Sequence, residues 1–108
     1  MHPCFNNPSH RKSAEEDREG RVVVTYSIKT ASYLRPTVEK GGGMPGEPEP
    51  HYYFHRSLSE LLATCFRFGF MLDGVEEPAF TEPIQSELVL NWGHYSDIPP
   101  VLACRLRR

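Results

Sequence analysis

No stretch of this 108-residue sequence approaches the apolar length needed to cross a bilayer as a helix, so an α-helical membrane span is not expected. Charge of one sign is also missing. Twelve Lys and Arg stand against 14 Asp and Glu, a formal net charge of −2, and the basic ending Arg105, Arg107 and Arg108 reads as a short solvated tail. Neither nucleic acid nor a membrane surface is therefore an expected partner. Cysteine is scarce: Cys4, Cys65 and Cys104 are odd in number and lack close pairing, which argues against a disulfide framework. Cys65 and Cys104 sit in apolar runs, as small core hydrophobes of a reducing compartment do, and the expected location is cytoplasmic. Zinc-type spacing is lacking too. His51 and His55 flank an extended-looking Tyr52-Tyr53-Phe54, and His2, Cys4 and His10 supply no Cys pair, so no metal is expected. Glycine is absent from the places a nucleotide site would need it. The one cluster, Gly41-Gly42-Gly43-Met44-Pro45-Gly46, runs into Glu47-Pro48-Glu49-Pro50. A phosphate-cradling loop must open a helix; this one opens a proline-rich segment and reads as a linker.

What is present is concentrated between Tyr52 and Phe80. Ser57 and Glu60 have the spacing of a capping box at a helix start. Leu58, Leu61, Leu62, Cys65 and Phe66 recur on a 3.6-residue period and form one apolar stripe. Gly69 supplies the left-handed residue that ends a helix, with Phe70 placed to fold back on the last turn. Phe70, Leu72 and Val75 then lead a strand to Glu76-Glu77-Pro78, where proline stops it. A helix that delivers its chain into a strand makes the class α/β.

The rest is less regular. Met1–Asn7 reads as a strand end and the corner after it, with Pro3 and Pro8 preventing a helix. Residues Ser9–Arg21 are dominated by charge and read as a solvated loop or as disordered. Val22 to Lys29 is rich in β-branched residues and predicts a strand, continuing through Tyr33 and Leu34 to stop at Pro36. Ser86–Leu90 fits either a helical turn or a short strand, and Trp92 falls in a loop. Val101–Cys104 is a continuous apolar run expected to be a strand buried on both faces.

Four words stand in a fixed order: His2-Pro3-Cys4-Phe5, then the run from His55 to Leu62, then Phe66 to Phe80, then Ile98 to Arg108. In that order the chain resembles the C-terminal part of class I S-adenosylmethionine-dependent methyltransferases of the small-molecule branch. The resemblance covers Met1–Phe5 and Tyr52–Arg108 well and the middle loosely. It implies a fragment of a Rossmann-like fold: residues 1–8 close the fifth strand, and 9–55 form a lid-like insertion with a flexible linker at 37–50. Residues 56–108 then supply a helix, a sixth strand and an antiparallel seventh. The family's cofactor site, a glycine-rich turn after the first strand and an acid ending the second, lies in a first half that has no counterpart here. The expectation is a chain truncated or mis-started at Met1, whose partner is the missing N-terminal half of the domain. S-adenosylmethionine would serve the intact protein, and no cofactor is expected to bind this chain alone.

In such sheets ligands bind beyond the carboxyl ends of the strands. The resemblance therefore places the small-molecule methyl acceptor near His2 to Phe5 and under the insertion. Phe5, Tyr33, Tyr52, Tyr53, Phe54 and Trp92 become candidate substrate walls, since aromatic faces with a few polar groups make small-molecule pockets. His2 and His55 are the candidate bases, imidazole being the usual one near neutral pH. Plainer readings stand beside these. A hydrogen bond from His55 to a nearby carbonyl explains that residue fully, the aromatics can cover a core, and Glu76-Glu77 is a solvated strand end with side chains on opposite faces. Cys65, on the apolar stripe, is a poor nucleophile. One helix covers one face of a sheet, so its stripe is expected to dock on strands outside this chain. The alternatives are a non-catalytic interaction module that docks a partner through that face, or a self-contained small α/β domain.

Overall fold

The longest regular signal in the sequence is also the best-formed element of the computed structural model, which describes residues 1–17, 23–41, 46–82 and 87–108. Helix α1 spans Leu58–Arg67. The Ser57 hydroxyl accepts from the Glu60 N–H at 3.3 Å, while the Glu60 carboxylate turns to Arg56 at 3.3 Å rather than back to the cap. At the other end Phe70 N–H donates to Cys65 O at 3.1 Å and Gly69 N–H to Phe66 O at 3.0 Å. These are the two bonds of a Schellman cap, and they require Gly69 at φ +84°. A Cβ at Gly69 would meet nothing within 4 Å, so its cost is purely conformational. Gly69→Ala is expected to lower stability by about 1 kcal/mol in urea denaturation.

The cap hands the chain to β5 (Met71–Glu76), which pairs antiparallel with β6 (Ala103–Arg107). A bulge between Leu72 and Gly74 leaves Asp73 over, aimed at two arginines of β6. Arg105 Nε reaches Asp73 Oδ1 at 2.8 Å and Arg107 holds the other oxygen, so these residues belong to a strand and not to a solvated tail. The last strand also starts later than its apolar run suggests. Glu76 pairs with Ala103, Pro78 has no N–H to extend the ladder, and Val101 and Leu102 fall outside it. No residue of β6 is buried, against the expectation of burial on both faces, because among the described residues β5 is its only strand neighbour.

The insertion is more ordered than its composition implies. Residues His10–Asp17, read as loop or disorder, form β1, paired along its whole length with β2 (Val23–Thr30). Cross-strand partners absorb the polar side chains: Ser13 and Ser27 hydroxyls meet at 2.8 Å and Lys29 pairs with Glu15 at 3.7 Å. A charge-rich run needs only a β-branched partner to become an edge strand, and local composition cannot see that partner. β2 stops at Thr30 instead of continuing, because Ser32 at φ +54° turns the chain through Tyr33. Part of the expected linker is likewise a strand. β3 (Thr37–Gly41) pairs antiparallel with β4 (His51–His55), while the centre of the glycine cluster, 42–45, lies outside the described residues, as does Ser86 of the ambiguous Ser86–Leu90 segment. Among the described residues no helix is long and apolar enough to cross a membrane.

Among the described residues the result is a small α/β arrangement of three separate two-stranded antiparallel sheets and one helix. Its interior is thin. Tyr95 is the only large apolar side chain that is fully buried among the described residues. Among the described residues helix α1 packs substantially on no strand; none of its ten residues is fully buried, Leu58, Leu62 and Cys65 are half-buried, and Leu61 and Phe66 are 46% and 48% exposed. The accessible surface is 8311 Å², whereas a compact monomer of this mass exposes about 6,100 Å². The Cα radius of gyration is 16.6 Å, against about 13 Å for a compact domain of this length.

Candidate functional site

Buried polar groups, not apolar ones, mark the junctions of this fold. The corner Met1–Asn7 is stitched to the segment that leads into the last strand: His2 N–H and the Asn6 side-chain amide both donate to Pro100 O, at 2.9 and 3.1 Å. Within the corner Asn6 N–H donates to His2 O at 2.8 Å and the Asn7 amide to Pro3 O at 2.8 Å. The His2 ring, 2% exposed, is held from both sides. Cys4 N–H donates to Nδ1 at 3.1 Å, which leaves the ring proton on Nε2, facing Glu77 Oε1 at 2.8 Å. Phe5 packs on the same ring with centroids 4.6 Å apart. Glu77 thus ties the corner to the exit of β5, a role that a solvated strand end does not suggest.

A second junction joins the insertion to α1. His55, 5% exposed, donates from Nε2 to the Tyr33 carbonyl at 2.7 Å, and the Tyr33 hydroxyl accepts from the Leu58 N–H at 2.8 Å. Tyr33 therefore satisfies a helix N–H that the Ser57 cap leaves over. Burial pushes the Tyr33 phenol up, a rise that the Leu58 N–H opposes and the Cys4 thiol reinforces, so the hydroxyl stays protonated in neutral solution. A carbonyl oxygen only accepts, so Nε2 of His55 is the donor of its bond to Tyr33. Across the β3–β4 ladder from His55, the Thr37 hydroxyl is buried with no partner among the described residues.

Two cavities meet at the Asn6–Pro8 corner. The larger, about 680 Å³, lies between that corner and the β3–β4 hairpin and is walled by Tyr53 and Trp92. The smaller, about 210 Å³, is bordered by Phe54, His55 and Leu61. Of the sequence-predicted walls, the structure brings Tyr53 and Trp92 to one cavity and Phe5 to the His2 ring, with Tyr33 beneath the helix start. It separates the others. Lys40 and Tyr52 are directly paired across β3 and β4, and Tyr52 lies 62% exposed under the Lys40 ammonium. Phe54 is 64% exposed on that same side.

Sequence reasoning missed the aromatic cluster around Tyr95. Its ring meets Tyr26 at 5.2 Å and Trp92 at 5.6 Å, both edge-on, and its hydroxyl donates to Ser13 O at 3.2 Å. Burial pushes the Tyr95 phenol up, with Tyr26 adding to the rise. The Lys12 ammonium, pushed down by burial, sits 5.1 Å from the Trp92 ring. The signal was there in Trp92-Gly93-His94-Tyr95, a run too short to have a period but dense in rings. No protein family, no curated protein and no solved structure matches the chain.

Proposed function

We propose that this chain is the C-terminal, substrate-side portion of an S-adenosylmethionine-dependent methyltransferase acting on a small molecule. The observation that carries the reading is the 680 Å³ cleft, walled by Tyr53 and Trp92 and floored by the corner after His2. Its volume falls in the range of small-molecule sites, about 300–1,000 Å³. The order corner, insertion, helix, strand, antiparallel strand supports it too, because it is the order the resemblance implies, with the corner hydrogen-bonded beside the last strand. In this reading the fragment belongs to a Rossmann-like sheet whose other strands lie under α1 and along the open edge of β6.

The described residues do not fit the nucleoside itself. Its site in the resembled family needs glycine backbone where a helix opens, and α1 opens on His55-Arg56-Ser57. What this chain supplies is the acceptor's side. Tyr53 and Trp92 hold a flat molecule and the hairpin β3–β4 closes one flank, while His55 borders the adjoining 210 Å³ cavity rather than this cleft. Both nitrogens of His2 are engaged within the chain, whereas only Nε2 of His55 has a partner among the hydrogen bonds described, the Tyr33 carbonyl.

Two measurements test the reading. Calorimetric titration of the 108-residue chain with S-adenosylmethionine is expected to give no heat, and micromolar binding would contradict it. Translation of the reading frame upstream of Met1 is expected to show a strand and a glycine-rich turn opening a helix; a frame without them sinks the proposal. The exposed helix face equally favours a second reading, a non-catalytic module that docks a partner through α1, and that reading survives if the upstream turn is absent.

A further inference from the structure

Accepting the cleft as the place of the methyl acceptor, we propose that it takes an aromatic molecule bearing a protonated amine. The register of β3 on β4 sets the chemistry of its wall. Glu39 is paired with Tyr53 and Gly41 with His51, so the side chains of Glu39, His51 and Tyr53 share the face that lines the cleft. Gly41 has no side chain there, and the Tyr53 ring lies over it, 3.6 Å from where a Cβ would stand. Ring and glycine together make a flat surface. Trp92 forms another wall, and a molecule held between two such surfaces is itself flat and aromatic.

Charge then chooses among aromatics. Four cleft residues carry a formal charge at neutral pH: Glu39, Glu47, Lys40 and, through its N-terminal ammonium, Met1. The Lys40 ammonium is directed to the opposite face, 5.5 Å from the centre of the Tyr52 ring. Glu47 is already occupied, its Oε2 lying 2.5 Å from His51 Nε2. Glu39 has no ion pair or hydrogen bond among the described residues. One carboxylate is therefore left at the wall of an aromatic cleft with no cationic group of the described residues, the Met1 ammonium included, in an ion pair with it. A ligand ammonium satisfies that carboxylate and at the same time lies near ring faces, whose quadrupole attracts a cation. A ligand carboxylate meets like charge at the same place.

Trp92 is the only tryptophan and lines this cleft, so its emission reports on occupation of it. The 108-residue chain is titrated with 2-phenylethylamine, 2-phenylethanol and phenylacetate, which differ in charge and hardly in shape. The amine is expected to bind about tenfold more tightly than the alcohol, from one exposed ion pair and one cation–ring contact, with the carboxylate weakest. Glu39→Gln removes most of that advantage and leaves alcohol binding unchanged, which also shows that the cleft has kept its shape. Glu47→Gln changes the preference less, because Glu47 is held by His51. The inference is overturned if alcohol or carboxylate binds as well as the amine, if Glu39→Gln leaves the preference intact, or if none of the three perturbs Trp92. The outcome separates from that of the methyltransferase reading. Loss of amine preference with a glycine-rich turn upstream leaves the enzyme reading standing, and amine preference without that turn leaves a binding cleft in a protein that does not methylate.

Discussion

Truncating Tyr95 to alanine is expected to cost about 3–5 kcal/mol, the usual penalty for emptying a core aromatic site. Few residues of this chain can show such an effect, since nearly all its other large apolar side chains keep substantial contact with solvent. Tyr95 joins elements that are otherwise separate. Its ring meets Tyr26 of β2 and Trp92 of the 3-10 turn Trp92–His94, and its hydroxyl donates to Ser13 O of β1. Tyr95→Phe keeps the rings and loses one hydrogen bond, so about 1 kcal/mol is expected. Urea denaturation followed by Trp92 emission reads both variants, because the tryptophan is a direct neighbour of the ring removed. Equal effects of the two substitutions would show that the hydroxyl, and not the packing, holds the cluster.

His2→Ala is the second large effect, expected at about 2–3 kcal/mol. The loss has two parts: the volume of a 2%-exposed ring, and the Cys4 N–H that donates to Nδ1 and is left unsatisfied. Glu77→Gln is expected to stay under about 1 kcal/mol, because its carboxylate side of the pair is 53% exposed and an amide oxygen still accepts from Nε2. If the histidine were an unattached base and not a strut, the first substitution would leave stability unchanged. Denaturation midpoints of the two variants against the parent chain make the comparison.

The parts of the fold legible in the sequence are those written locally. Ser57, the 3.6-residue stripe and Gly69 lie within a dozen residues of one another, and α1 with its two caps follows from them. The strand β5 and its stop before Pro78 are equally local. What escaped depends on partners far along the chain. β1 is a strand only because β2 lies beside it, and β3 only because β4 returns past the glycine cluster. The cleft is less legible still. Tyr52, Tyr53 and Phe54 look alike in sequence, and only the alternation of β4 against a known register sends Tyr53 to the cavity and the other two away from it. Glu77 and Asn7 act through contacts with the opposite end of a turn or of the chain, and nothing in their neighbours announces it.

One physical relation organises these observations: α1 is a well-capped helix whose apolar face, among the described residues, is at most half covered. A ten-residue helix with so little tertiary packing is marginal in water even when its ends are satisfied. Strands supplied from outside the chain would cover Leu61 and Phe66 and pair with the free edge of β6, which at present contacts only β5.

Amide hydrogen exchange of the 108-residue chain tests this most directly. The amides of Leu62 to Arg67, all inside the helical ladder, are expected to open at under about 2 kcal/mol, near the fraying end of the scale, while those of the β1–β2 ladder beside Tyr95 open at a clearly higher energy. Helix amides as protected as the best of the sheet would contradict the account, since they would show that α1 already rests on the surface it was shaped to meet.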